Sequence, residues 1–176
     1  AKVGLLTAVT AEEQHELALG PAFSRELAEP MTSYSVMRGT TTFDDGRRAV
    51  GFMATSTVRD LSTAKARSNL VRGAYSLGVD GWTFLDEEKR WALKAYAGGS
   101  VVEGSAAALQ DIQTSSQRYF QRPDADHLDY DPQRTSLTGW AARAMINKQK
   151  GAWTLNGAVG AVSPGYEIND LGSVSY

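Results

Sequence analysis

Hydrophobic and polar residues alternate with period two over much of the chain, the signature of strands with unlike faces. In residues 49–58, Val50, Phe52, Ala54, Ser56 and Val58 form one face, and Gly51, Met53, Thr55 and Thr57 a smaller, partly polar one. In residues 91–101, Trp91, Leu93, Ala95, Ala97 and Val101 oppose Lys94, Tyr96 and Ser100. Residues 73–83 set Tyr75, Leu77 and Val79 against Ala74, Ser76, Gly78 and Asp80. Residues 138–146 set Trp140, Ala142, Ala144 and Ile146 against Arg143, and residues 153–161 set Trp153, Leu155, Val159 and Ala161 against Thr154 and Asn156. Less regular strands are predicted over 3–10 and 34–43. The expected fold is all-β: an antiparallel meander of about seven or eight strands, the eighth starting after Pro164.

The connections alternate too. Short polar turns fall at 44–47, 86–89 and 147–151, where Gly46 and Gly151 offer the positive φ of tight hairpins. Between them lie long connections at 11–32, 59–71 and 104–134. Loops beyond about 12–15 residues are uncommon in compact domains. Transmembrane β-barrels, in contrast, pair short periplasmic turns with long external loops.

Strand length agrees with that comparison. About ten residues at about 3.3 Å each, tilted by about 40°, cover about 25 Å, the height of a barrel's apolar band. The lipid-side faces of the five regular strands carry no charge, and Asp80, Lys94 and Arg143 all fall on the opposite faces. Aromatics gather at strand ends, with Phe43, Phe84, Trp91 and Trp153 beside the short turns and Tyr34, Tyr75 and Trp140 beside the long loops. Two such bands are what two membrane interfaces select. The competing reading is a soluble antiparallel β-domain that binds a ligand or has hydrolase activity, but its core would want more large aliphatics than these Ala- and Gly-rich faces supply.

Composition narrows the classes. The 176 residues fit one domain, 42% are hydrophobic and 22% charged with both signs present, and glycine occurs 17 times. A net charge of −2 gives no basic face for nucleic acid. With no cysteine, disulfides and thiolate metal sites are excluded, which is compatible with an oxidising envelope compartment. No run approaches the roughly 18 apolar residues of a spanning helix. The start lacks a leader's basic-then-apolar layout, and a membrane barrel must close on itself. The segment is therefore expected to be part of a larger barrel.

Four motifs narrow it further. The run SPGYEINDLG from Ser163 to Gly172, the run RYFQRPD from Arg118 to Asp124, Gly139 with Trp140, and Arg59 with Asp60 and Leu61 are similar to elements of one bacterial family, domain of unknown function 5916. The family usually has Phe after the Leu-Gly of the first motif, where this chain has Ser173. The resemblance implies a large outer-membrane barrel, in many members following an N-terminal carbohydrate-binding (family-9-like) domain. It implies a bilayer as partner, a bacterial outer-membrane location, and a role in solute passage or surface anchoring linked to glycan uptake or binding. It carries over no catalytic residue.

Candidate chemistry is sparse. Asp124, Asp126, His127, Asp129 and Asp131 lie in the longest loop, but lack the central glycine and terminal glutamate of an EF-hand, so they read as a solvated acidic loop. His15 and His127 are the only histidines, and no serine lies in a nucleophile elbow. Glu103, Asp111 and Asp124 are acids of the kind any loop carries. No catalytic residue, metal or cofactor is expected. Tyr119, Phe120, Arg122, Asp124 and Tyr130 have the composition of a sugar-stacking loop, or of one that packs down over a barrel mouth. Asp80, Lys94 and Arg143 are candidate lumen charges that either set solute preference or pair with each other.

Overall fold

A computed structural model of the chain describes residues 1–19, 22–115, 118, 120 and 128–171. Nine strands and two helices follow in the order β1 (Lys2–Thr10), β2 (Glu13–Leu19), β3 (Ala22–Glu29), β4 (Thr32–Phe43), β5 (Arg48–Arg59), α1 (Ala64–Asn69), β6 (Gly73–Phe84), β7 (Trp91–Glu103), α2 (Ala106–Thr114), β8 (Ser136–Lys148) and β9 (Leu155–Val162). Seven strands form one sheet in the order β1-β4-β5-β6-β7-β8-β9, antiparallel throughout, and β2 and β3 form a separate hairpin. The all-β meander expected from the alternation is present. Strands β1 and β9 are the two edges of the sheet.

Four expectations change. The connection predicted over 11–32 is a β-ribbon, because β2 and β3 pair from Glu13 with Glu29 to Leu19 with Ala22. The other two long connections contain helices too short for a period of 3.6 to stand out. Their starts are marked by side-chain caps, with Thr63 accepting from the Ala66 N–H and Ser105 from the Ala108 N–H. No strand follows Pro164 within the described residues; the chain turns there instead. The last strand also starts later than predicted, at Leu155, because the Lys148 ammonium donates to the Trp153 carbonyl at 2.9 Å and sits 3.6 Å over its ring.

Register separates two unlike faces. Leu77 stands opposite Ala54 on β5 and Gly99 on β7, and Ala97 opposite Val79 and Ala142. Followed across all seven strands, these pairings put Val3, Leu5, Met37, Phe52, Leu77, Ala97, Ala142 and Val159 on one side. That side is bare among the described residues: Leu5 is 72% exposed, Leu77 61% and Val159 73%. Its charges, Arg48, Glu103 and Lys148, all lie at strand ends. Asp80, Lys94 and Arg143 share the other face. Two of the strand-end aromatics do not share that side: Tyr34 pairs with Thr57 and Phe84 with Ala92, so both belong to the charged face. Phe43, Trp91, Tyr75 and Trp140 remain on the apolar side.

Short turns are built by local chemistry. Asp44, Asp45 and Gly46 all have φ between 50° and 79°, a left-handed path that Asp tolerates and Gly accepts freely. At the β6–β7 turn, one Asp86 oxygen accepts from the Arg90 and Trp91 amides at 2.9 and 2.8 Å, and the other accepts from the Arg90 guanidinium at 2.8 Å. These bonds hold the Asp86 carboxyl below the usual range, the Arg90 side chain contributing most.

The core sits at the opposite, long-loop end. Ala74, Val102 and Leu137 form one cross-strand row on the charged face, and Leu109 and Ile112 of α2 pack on it with Val71 and Phe120. Leu109 is fully buried. Leu109→Ala is expected to cost about 2–5 kcal/mol, read as a lower denaturant midpoint. Because the Asp86 pKa is depressed in the fold, its contribution is present above the ordinary aspartate value of about 3.9 and lost as pH falls through it and below. Amide exchange at Arg90 and Trp91, corrected for intrinsic rate, should therefore accelerate on acidification, and Asp86→Ala should be fast and pH-insensitive.

Candidate functional site

The charged face divides into a covered half and an open half. The covering begins where β9 ends. Ser163 extends the β8–β9 ladder, its N–H donating to the Trp140 carbonyl and its hydroxyl accepting from the Trp140 N–H, both at 2.8 Å. The Tyr166 N–H then donates back to the Ser163 carbonyl at 3.0 Å, closing a turn around Pro164 and Gly165. The chain folds over the sheet as a strap, residues 163–171.

The strap passes along a single cross-strand row. Thr55, Ser76, Ser100 and Gly139 stand opposite one another on β5, β6, β7 and β8. All are small, so the row forms a trough that admits backbone. At Gly139 the approach is closest: a Cβ there would lie 2.0 Å from the Tyr166 nitrogen. One residue on, the Glu167 N–H donates to the Ser100 hydroxyl at 2.9 Å. Ile168 and Leu171 then reach the Ser76, Gly78 and Thr55 region.

Charge fastens the strap. The Glu167 side chain, 3% exposed, meets the Arg118 guanidinium at 2.9 Å and accepts from the Asn169 N–H at 2.7 Å. Arg118 also bonds the Asp170 carboxylate at 3.0 Å, while Arg59 reaches the Asp170 carbonyl at 3.3 Å and that of Val71 at 3.2 Å. A carboxylate buried this far needs a cation and hydrogen bonds together. Arg59, Arg118, Gly139 and the run from Ser163, far apart in the chain, thus converge on one structure.

Toward the short turns the same face lies open. Asp80 holds Arg38 with both oxygens, one contact at 2.7 Å. The two residues are on β4 and β6, and the guanidinium crosses β5 over Gly51, where a Cβ would lie 2.7 Å from it. Arg38 was not singled out from the sequence; the signal available was only its polar-face parity. Lys94 and Arg143 have no ion-pair or hydrogen-bond partner among the described residues. They flank a groove of about 510 Å³ with Trp82, Phe84, Tyr96 and Met145. Of the two readings open for these three charges, Asp80 is paired, but with Arg38 rather than with Lys94 or Arg143.

The loop candidates fare differently. Phe120 is buried in the α2 core with Arg134 over its ring at 5.7 Å, so it offers no free face for stacking a sugar. Its burial follows from the apolar row beneath α2. Tyr130 is half exposed. Tyr119, Arg122, Asp124, Asp126 and His127 lie outside the described residues. Asp131 is engaged in loop structure: its carboxylate accepts from the Gln133 N–H, and Gln113 bonds both its N–H and its carbonyl. No described helix is long and apolar enough to cross a membrane, which says nothing of strands. Comparison with protein-family models, curated proteins and solved structures finds no match to the chain.

Gly139→Ala is expected to lift the strap, because the clash is with backbone. The lost charged hydrogen bonds should cost about 1.5–3 kcal/mol. Protease sensitivity within residues 163–171 should rise, while amide protection in β7 persists.

Proposed function

We propose that this sheet is part of the wall of a transmembrane β-barrel in the bacterial outer membrane, serving solute passage linked to glycan uptake or binding. The observation that carries the reading is the bare face. Seven strands in register present an apolar surface whose charges lie only at the strand ends, as a lipid-facing wall requires. Water-facing surfaces of soluble monomers rarely expose so large an apolar patch. Strand lengths of 12 or 13 residues in β4 to β8 suffice for a tilted span. Trp91 with Trp153 in edge contact near the short turns, and Tyr75 with Trp140 near the long loops, suit two interfacial bands.

The opposite face becomes the lumen wall on this reading. The unpaired edges β1 and β9 would continue into further strands, because exposed backbone groups are costly in lipid. The four convergent motifs favour membership of the family catalogued as domain of unknown function 5916, and with it a glycan-related role. One observation favours a variant in which the barrel anchors a surface-binding element: α2 and the strap cover the long-loop half of the wall. Conductance of the full-length protein in planar bilayers separates passage from anchoring, since a filled anchor passes no current.

Leu77 lies near mid-strand on the bare face. Leu77→Arg should weaken membrane assembly by about 2–4 kcal/mol, whereas Lys94→Gln on the other face should leave it intact. Folding into lipid vesicles, followed by the mobility of unheated samples on gels, measures both. Normal assembly of Leu77→Arg would remove the membrane reading.

A further inference from the structure

We infer that the open half of the charged face is a recognition site for a small carboxylated solute whose ring has an apolar C–H face, an acidic monosaccharide being the form that fits it. This deepens the proposed function and rests on its reading of that face as the water-facing wall. Three observations meet in the groove. First, the charge is one-sided. Among described strand residues, the face carries Lys2, Arg38, Arg59, Lys94 and Arg143 against the single carboxylate Asp80. Asp80 is already bound through both oxygens to Arg38, so Lys94 and Arg143 are uncompensated among the described residues.

Second, those two cations sit together. Lys94 stands opposite Met145 and Tyr96 opposite Arg143, which makes Lys94 and Arg143 diagonal neighbours on β7 and β8. A planar guanidinium offers a carboxylate two parallel N–H donors, and an ammonium beside it adds a third contact from a freer direction. Third, the groove is aromatic as well as cationic. Trp82 stands opposite Lys94, Tyr96 is 49% exposed, and Phe84 and Met145 close the sides. Rings of that kind stack on the apolar face of a sugar while its substituents stay wet. The volume, about 510 Å³, lies within the range of small-molecule sites, about 300–1,000 Å³.

Calorimetric titration of the full-length protein with glucuronate and with glucose tests the inference. Glucuronate should bind about tenfold or more tightly than glucose, the difference falling with added salt. The double variant Lys94→Gln/Arg143→Gln should lose the preference, and Trp82→Ala should weaken both sugars. Should the double variant misfold, Arg143→Lys, which keeps the charge and loses the fork, should retain only part of the preference. Equal binding of the two sugars, no binding of glucuronate, or a preference surviving in the folded double variant would each overturn the site. The underlying membrane reading fails separately: a protein that prefers glucuronate but assembles normally as Leu77→Arg keeps the site and loses the bilayer.

Discussion

Each strand of the large sheet has a side uncharged except at strand ends and a side that carries or admits polar groups, and pairing must bring like sides together. A slip of one residue would turn a whole strand over. Slipping β7 would send Lys94 and Tyr96 to the apolar side and break the row on which the strap lies. The rest of the molecule depends on this register. The bare face is continuous only because seven strands agree on it. The trough exists only because Thr55, Ser76, Ser100 and Gly139 fall in line.

The charged face shows how one wall is divided. Its row nearest the long loops is apolar and carries α2. The next row is small and carries the strap. Beyond it one row holds Asp80, Tyr96 and Arg143 and borders the strap at Tyr166, and the next holds Trp82, Lys94 and Met145. Burial of Glu167 is tolerated in the covered zone because Arg118, the Asn169 N–H and the strap's own bond to Ser100 accompany it. In the open zone Arg38 is matched and its neighbours are not, so a uniform fold yields a packed end and a chemically receptive end.

Local chemistry supports the same division. Turns at one end are held by Asp86 and by left-handed residues such as Asp45 and Gly46. The other end carries the ribbon of β2 and β3 and two side-chain-capped helices. Short connections hold register, and long ones provide the cover.

The sequence by itself determined the seven strands of the large sheet, their two faces, the alternation of short and long connections, and the placing of Asp80, Lys94 and Arg143 away from the apolar side. Period-two parity and turn chemistry are local, so they survive in one dimension. Only the tertiary structure decided that Arg38 crosses Gly51 to Asp80, that Phe120 is core, that Tyr34 and Phe84 lie on the charged face, and that residues 163–171 form a strap and not a strand. Each of these depends on which residues of separate strands stand opposite one another. That register links positions tens of residues apart, and no local pattern encodes it. The motif from Ser163 was legible as letters, whereas its meaning, a backbone laid against Gly139 and fastened by Arg118, required the sheet beneath it.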